Sequence, residues 1–147
     1  MVLMPALMLF LSQARVGWPA LVAMLAMSGM LVAGTIYLRA KYRQVAFGLP
    51  IDNALRQVGR AQVPLLILTL IAVGLCAWCW VNPALTRGLA ERWVVTAAAI
   101  LALLEYINYY HRQLQHFDNA NDWQRLLSGR GFRVSQLRRD LERAGLR

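Results

Sequence analysis

From Val63 to Val81 the chain reads VPLLILTLIAVGLCAWCWV, nineteen residues without a charge. As a helix this run is about 28 Å long, close to the ~30 Å hydrocarbon core of a bilayer. A second uncharged run, Trp18 to Leu38, adds 21 residues. A third, Trp93 to Tyr110, carries one glutamate. With 59% hydrophobic and 16% charged residues overall, the chain does not have the surface chemistry of a water-soluble domain of its size. The expected class is all-α: a small polytopic helical membrane protein with three full transmembrane helices, over about 18–38, 63–81 and 93–110. Residues 1–111 would form the transmembrane bundle and 112–147 a cytoplasmic basic helical tail.

Met1 to Ser12 (MVLMPALMLFLS) is apolar, but as a helix reaches only about 18 Å. It fits a short, tilted or re-entrant fourth span. A cleaved leader, with Ser12 and Ala14 as small residues at the cleavage site, and an interfacial anchor are the alternatives. Trp18 and Tyr37 bracket the first full span, and Pro19 suits a first helical turn. Within it, Gly29 and Ala33 form a small-xxx-small pair that allows close helix approach. Met24, Met27 and Met30 read as adaptable packing, since no His or Cys accompanies them. A short headgroup-level helix over Asn53–Gln62, with Leu55 and Val58 on one side and Arg56 and Arg60 on another, is expected to lead into the second span. Pro64 then falls in that span's first turn.

The net charge of +9 comes almost entirely from arginine, Lys41 being the single lysine. This bias fits a GC-rich bacterial gene. Five Lys/Arg lie between Arg39 and Arg60 and eight arginines from Arg112 onward, against two in the Pro83–Trp93 turn. The positive-inside rule therefore places the middle loop and the C-terminus in the cytoplasm, and the expected location is the cell inner membrane, multi-pass.

The third span is expected to run on as one helix, Trp93 to Asp118, projecting two turns beyond the membrane. On it Glu105, Tyr109, Arg112 and His116 share a narrow stripe with Asn108 at its margin. An intramembrane carboxylate costs about 2.5–3.5 kcal/mol at the bilayer centre. Glu105, however, lies only about 6–8 Å inside an expected belt formed by Tyr109 and Tyr110. There it would pair with Arg112 or a middle-loop arginine, making the stripe a contact surface; a proton or cation site is the functional alternative. His111 and His116 are five apart and miss the i, i+4 spacing of a helical metal pair, so no metal is expected.

Cys76-Ala77-Trp78-Cys79 places two thiols at i, i+3 near the outer end of the second span. In position this resembles the quinone-coupled thiol oxidases of the disulfide-bond-forming and vitamin K epoxide reductase type. That resemblance implies a cysteine pair cycling between dithiol and disulfide, with electrons passing to a bound quinone; only under it is a cofactor expected. The chain has no second cysteine pair to relay electrons, and a regular helix holds i, i+3 sulfurs awkwardly for bridging. Two small buried residues are the plain reading.

In the tail, Asn121 or Asp122 can cap a short helix over Trp123–Leu127. Ser135 can cap a last one from Gln136 to Ala144, with Leu137 and Leu141 as its apolar edge, an Arg138–Glu142 pair, and Gly145 as its stop. The stretch VSQLRRDLERAGL resembles the recognition helix of some winged-helix repressors. The preceding helices and the wing of that fold have no counterpart here, so nucleic acid is not an expected partner. The expected partners are membrane lipids and a protein partner or further copies of the chain. The leading expectation is a non-enzymatic accessory or interaction subunit. A homo-oligomeric pore or small transporter using Glu105, with a layout like that of small holin-like proteins, and a CxxC thiol–quinone enzyme are the alternatives.

Overall fold

The computed structural model describes residues 17–112, 128 and 132–146. Within them the chain is all-helical, with no strand, and three of its helices are long and apolar enough to cross a membrane. Met1–Ser12, the Trp123–Leu127 helix, His116 and Asp118 lie outside the described residues.

The first helix, α1, spans Trp18–Phe47. Pro19 fits its first turn because a proline there removes no intrahelical hydrogen bond. The helix stops at Gly48, which takes a left-handed conformation (φ 66°) and donates its N–H to the Gln44 carbonyl over 2.9 Å. Helix α2, Asp52–Val81, is also 30 residues long. The expected headgroup helix and second span are thus one continuous rod, with Pro64 in its interior rather than its first turn. Leu55 and Val58 explain the fusion: both are buried against the bundle, so the polar first turns continue the helix axis. An interior proline costs about 3 kcal/mol. Burial of the apolar edge on both sides of the junction offsets it.

A 3-10 turn, Pro83–Leu85, joins α2 to α3, Leu89–Tyr110. At 30 residues, α1 and α2 are each about 45 Å long, so both outrun the hydrocarbon core. The excess falls at one end, where α1 finishes, α2 begins and α3 finishes. There the last helix, α4 (Gln136–Arg143), docks against α2 and α3.

The three long helices pack pairwise around two cores. The first is built from small side chains: Ala20, Ala23 and Ala26 of α1 meet Ala72 of α2 and Ala98 and Ala102 of α3. Small residues let the backbones close in, the packing that apolar solvent favours. Gly29 follows this logic, because a Cβ there would meet the Leu65 side chain at 2.8 Å. The second core lies at the α4 end and is aromatic, with Tyr37, Tyr106 and Tyr110 packed around Leu55, Leu137 and Leu141. Leu25, Ile67, Leu70 and Ile100 project outward as exposed apolar side chains, fitting for a lipid-facing surface. Trp18, Trp78 and Trp93 are exposed at the opposite end, where Trp18 is expected at the interface; Tyr37, expected at the other edge of the first span, is buried instead.

Candidate functional site

The stripe on α3 is interrupted. The helix ends at Tyr110, and Arg112 pairs in an isolated antiparallel bridge with Val134. Its guanidinium donates to the Phe132 carbonyl over 2.8 Å, so the expected Glu105–Arg112 pair does not form. The cause is the returning chain. The N–H of Ser135 donates to the His111 carbonyl over 3.2 Å, and its hydroxyl donates to the Tyr109 carbonyl. Carbonyls that a further helical turn would have used are thereby satisfied from α4's leading edge. Asn108 stays on α3, partly buried.

Glu105 and Tyr109 remain together. The carboxylate interacts with the Tyr109 hydroxyl one turn on. Gly34 of α1 makes room for that tyrosine: a Cβ at Gly34 would overlap its ring and hydroxyl. The second carboxylate oxygen, Oε2, is buried and has no hydrogen-bond partner among the described residues. The expected tyrosine belt is turned inward. Tyr110 is fully buried and donates to the Val58 carbonyl over 2.8 Å, while Tyr106 packs against Tyr110 with ring centroids 5.1 Å apart. Both rings share a core with Leu55 and Val58 of α2 and with Leu137 and Leu141 of α4.

Two carboxylates that charge counting passed over hold the bundle's ends. Asp140 lies between Leu137 and Leu141 on the buried face of α4. Its Oδ2 accepts from the Tyr37 hydroxyl and from Lys41 Nζ, each at 2.9 Å. The signal was present in the sequence: positions 137, 140 and 141 share one helical face, and Lys41 is the single lysine. At the other end Glu91, in the first turn of α3, is 2% exposed. It accepts backbone N–H bonds from Gly17 at 2.6 Å and Arg87 at 2.7 Å. It closes the start of α3 much as a capping-box glutamate does, and also ties in the start of α1.

The cysteines lie near this second end. Both are free thiols; Cys79 is buried and Cys76 partly so. The Cys76 thiol donates to Thr96 Oγ1 at 3.4 Å, and the Trp80 indole donates to the same oxygen at 3.0 Å. Thr96 in turn donates to the Arg92 carbonyl, and the Arg92 guanidinium sits 5.6 Å from the Trp80 ring centroid. No group of three or more metal-ligating side chains occurs among the described residues. Comparison of the chain with family models, with curated proteins and with solved structures gives no match.

The expected features of α4 are present. Ser135 caps it by accepting the Arg138 N–H, Arg138 pairs with Glu142 at 2.8 Å, and Gly145 follows its end with φ 67°. With its apolar edge in the bundle, the helix leaves Arg139 and Arg143 exposed.

Proposed function

We propose that this chain is a non-enzymatic accessory subunit of a bacterial inner membrane, with the α4 end facing the cytoplasm. In this reading α4 is a recognition platform for the acidic surface of a protein partner. One observation carries it: α4 buries Leu137, Asp140 and Leu141 in the bundle and turns Arg139 and Arg143 to solvent. A helix retained only to set topology needs charge, not a fixed docking geometry. The distribution of Lys and Arg along the chain supports the cytoplasmic assignment. Photo-crosslinking groups at positions 139 and 143 of the full chain, in native membranes, test the proposal. A discrete protein adduct that is lost when the other arginine is reversed to glutamate is expected. Adducts to lipid alone would overturn it, and an adduct of twice the chain's mass would make the partner a second copy.

A second reading, an oligomeric pore or transporter, is supported by the buried Oε2 of Glu105 without a partner among the described residues. Proteoliposomes carrying Glu105→Gln with an ion leak equal to that of the parent chain would remove it. The thiol–quinone reading draws least from the geometry, because Cys79 is buried and Cys76 is engaged by Thr96. It predicts that alkylation of Cys76 and Cys79 in membranes changes after reduction.

A further inference from the structure

On one side of the bundle, a groove of about 130 Å³ runs between α1 and α2. Gly29, Val32 and Ile36 line it from α1, and Ala61 and Leu65 from α2. Gln57 also lines a shallow, open hollow of about 280 Å³ on α2, bounded by Asn53, Arg56 and Arg60. A third hollow, of about 200 Å³, continues past Arg56 and Arg60 to Gly59 and Leu146.

The sequence of α2 explains the gradient. Leu65, Ala61, Gln57 and Asn53 follow one another at four-residue steps, so they form a single ladder along the helix. That ladder passes from apolar to polar over about 18 Å. Arg60 and Arg56 form the adjacent ladder, about 5 Å and about 10 Å beyond Val63, where the apolar run begins. Arg60 lies at the depth of the headgroup layer, which adds about 5–8 Å to each side of the hydrocarbon core, and Arg56 stands just beyond it, within reach through its long side chain. Arg56 hydrogen-bonds to Asn53 Oδ1 over 3.0 Å, and neither arginine forms an ion pair with a described residue. Gly29 and Leu65 close the groove at its deep end, where Leu65 packs onto the glycine so closely that a Cβ there would meet it at 2.8 Å.

We propose that this groove binds one anionic phospholipid from the leaflet on the α4 side. An acyl chain lies along Val32, Ala61 and Leu65, and the phosphate is held by Arg56 and Arg60. Both features point to the same occupant. An apolar groove alone accepts any chain, and two exposed arginines alone accept any anion. Joined in this order and at this depth, they match a molecule with an anionic head and an apolar tail. The site is separate from Arg139 and Arg143 and does not depend on the partner reading.

Nanodiscs of equimolar phosphatidylcholine and phosphatidylglycerol, released into native mass spectrometry with the full chain, test the site. The parent chain is expected to retain one phosphatidylglycerol in preference to phosphatidylcholine. R56Q/R60Q should lower that preference about tenfold, while R56K/R60K keeps most of it. A61F, which fills the groove with both arginines intact, should also release the lipid; V32F on the opposite wall serves if A61F does not fold. Retention by R56Q/R60Q equal to that of the parent overturns the proposal. So does an equal loss in R139Q/R143Q, which would mean diffuse attraction. Displacement of the lipid by inorganic phosphate to the same extent in the parent and in A61F would assign the site to free anions, and also overturns it.

Discussion

The two ends of the bundle are each fastened by one buried carboxylate, and the two fastenings differ in kind. Glu91 accepts two backbone N–H groups, and the fit leaves no room for a side chain at position 17, where a Cβ would meet the carboxylate at 2.5 Å. Asp140 accepts from two side chains, Tyr37 and Lys41, so its bond is written into three positions at once. The first fastening closes covalent neighbours and the start of α1, and leaves little freedom to exchange. The second attaches a short, separate helix, and is expected to open without unwinding the three long ones. One end is built to stay shut, and the other is built from replaceable parts.

The sharpest way to break this comparison is Glu91→Ala. Two amides lose a charged acceptor in a buried site, which should cost about 3 kcal/mol, at roughly 1.5 kcal/mol per hydrogen bond to a charged group. Loss of global thermal stability in detergent, followed by circular dichroism, is the measurement. A chain with unchanged melting would show that Glu91 is incidental. Asp140→Ala should cost less, about 2 kcal/mol, because Lys41 keeps partial access to water once its partner is gone. Its signature is local: limited proteolysis should cut near α4 while the three long helices keep their circular dichroism signal. If proteolysis and global melting change together, the two ends are a single cooperative unit and the contrast fails. Glu142→Ala should have the smallest effect, below about 0.5 kcal/mol and vanishing in high salt, since the Arg138–Glu142 pair is exposed.

What could be read from the sequence divides along the same line. The three long apolar helices follow from the length of their apolar runs, which is a one-dimensional property. The Ser135 cap, the Arg138–Glu142 pair and the stop at Gly145 are local, and spacing alone finds them. The end of α3 is not local. Nothing between Tyr110 and Arg112 breaks a helix; the chain turns because Ser135, 24 or more positions later, supplies donors to Tyr109 and His111. The expected belt of Tyr109 and Tyr110 is likewise turned inward, Tyr110 joining a core that α1, α2 and α4 build together. Glu105 was visible as a charge within a span, but its pairing with Tyr109 against Gly34 needed the packing of two helices. Asp140 was hidden by being counted among tail charges rather than placed on a helical face.

The antiparallel bridge between Arg112 and Val134 brings two points of the chain together across 21 intervening residues. The bridge sets the departure from α3 and the approach to α4 side by side, and Ser135 then bonds Tyr109 and His111 directly beside it. The register of the α3 terminus is thereby passed on to α4, so a substitution that shifts one of these partners also shifts the helix that carries Asp140.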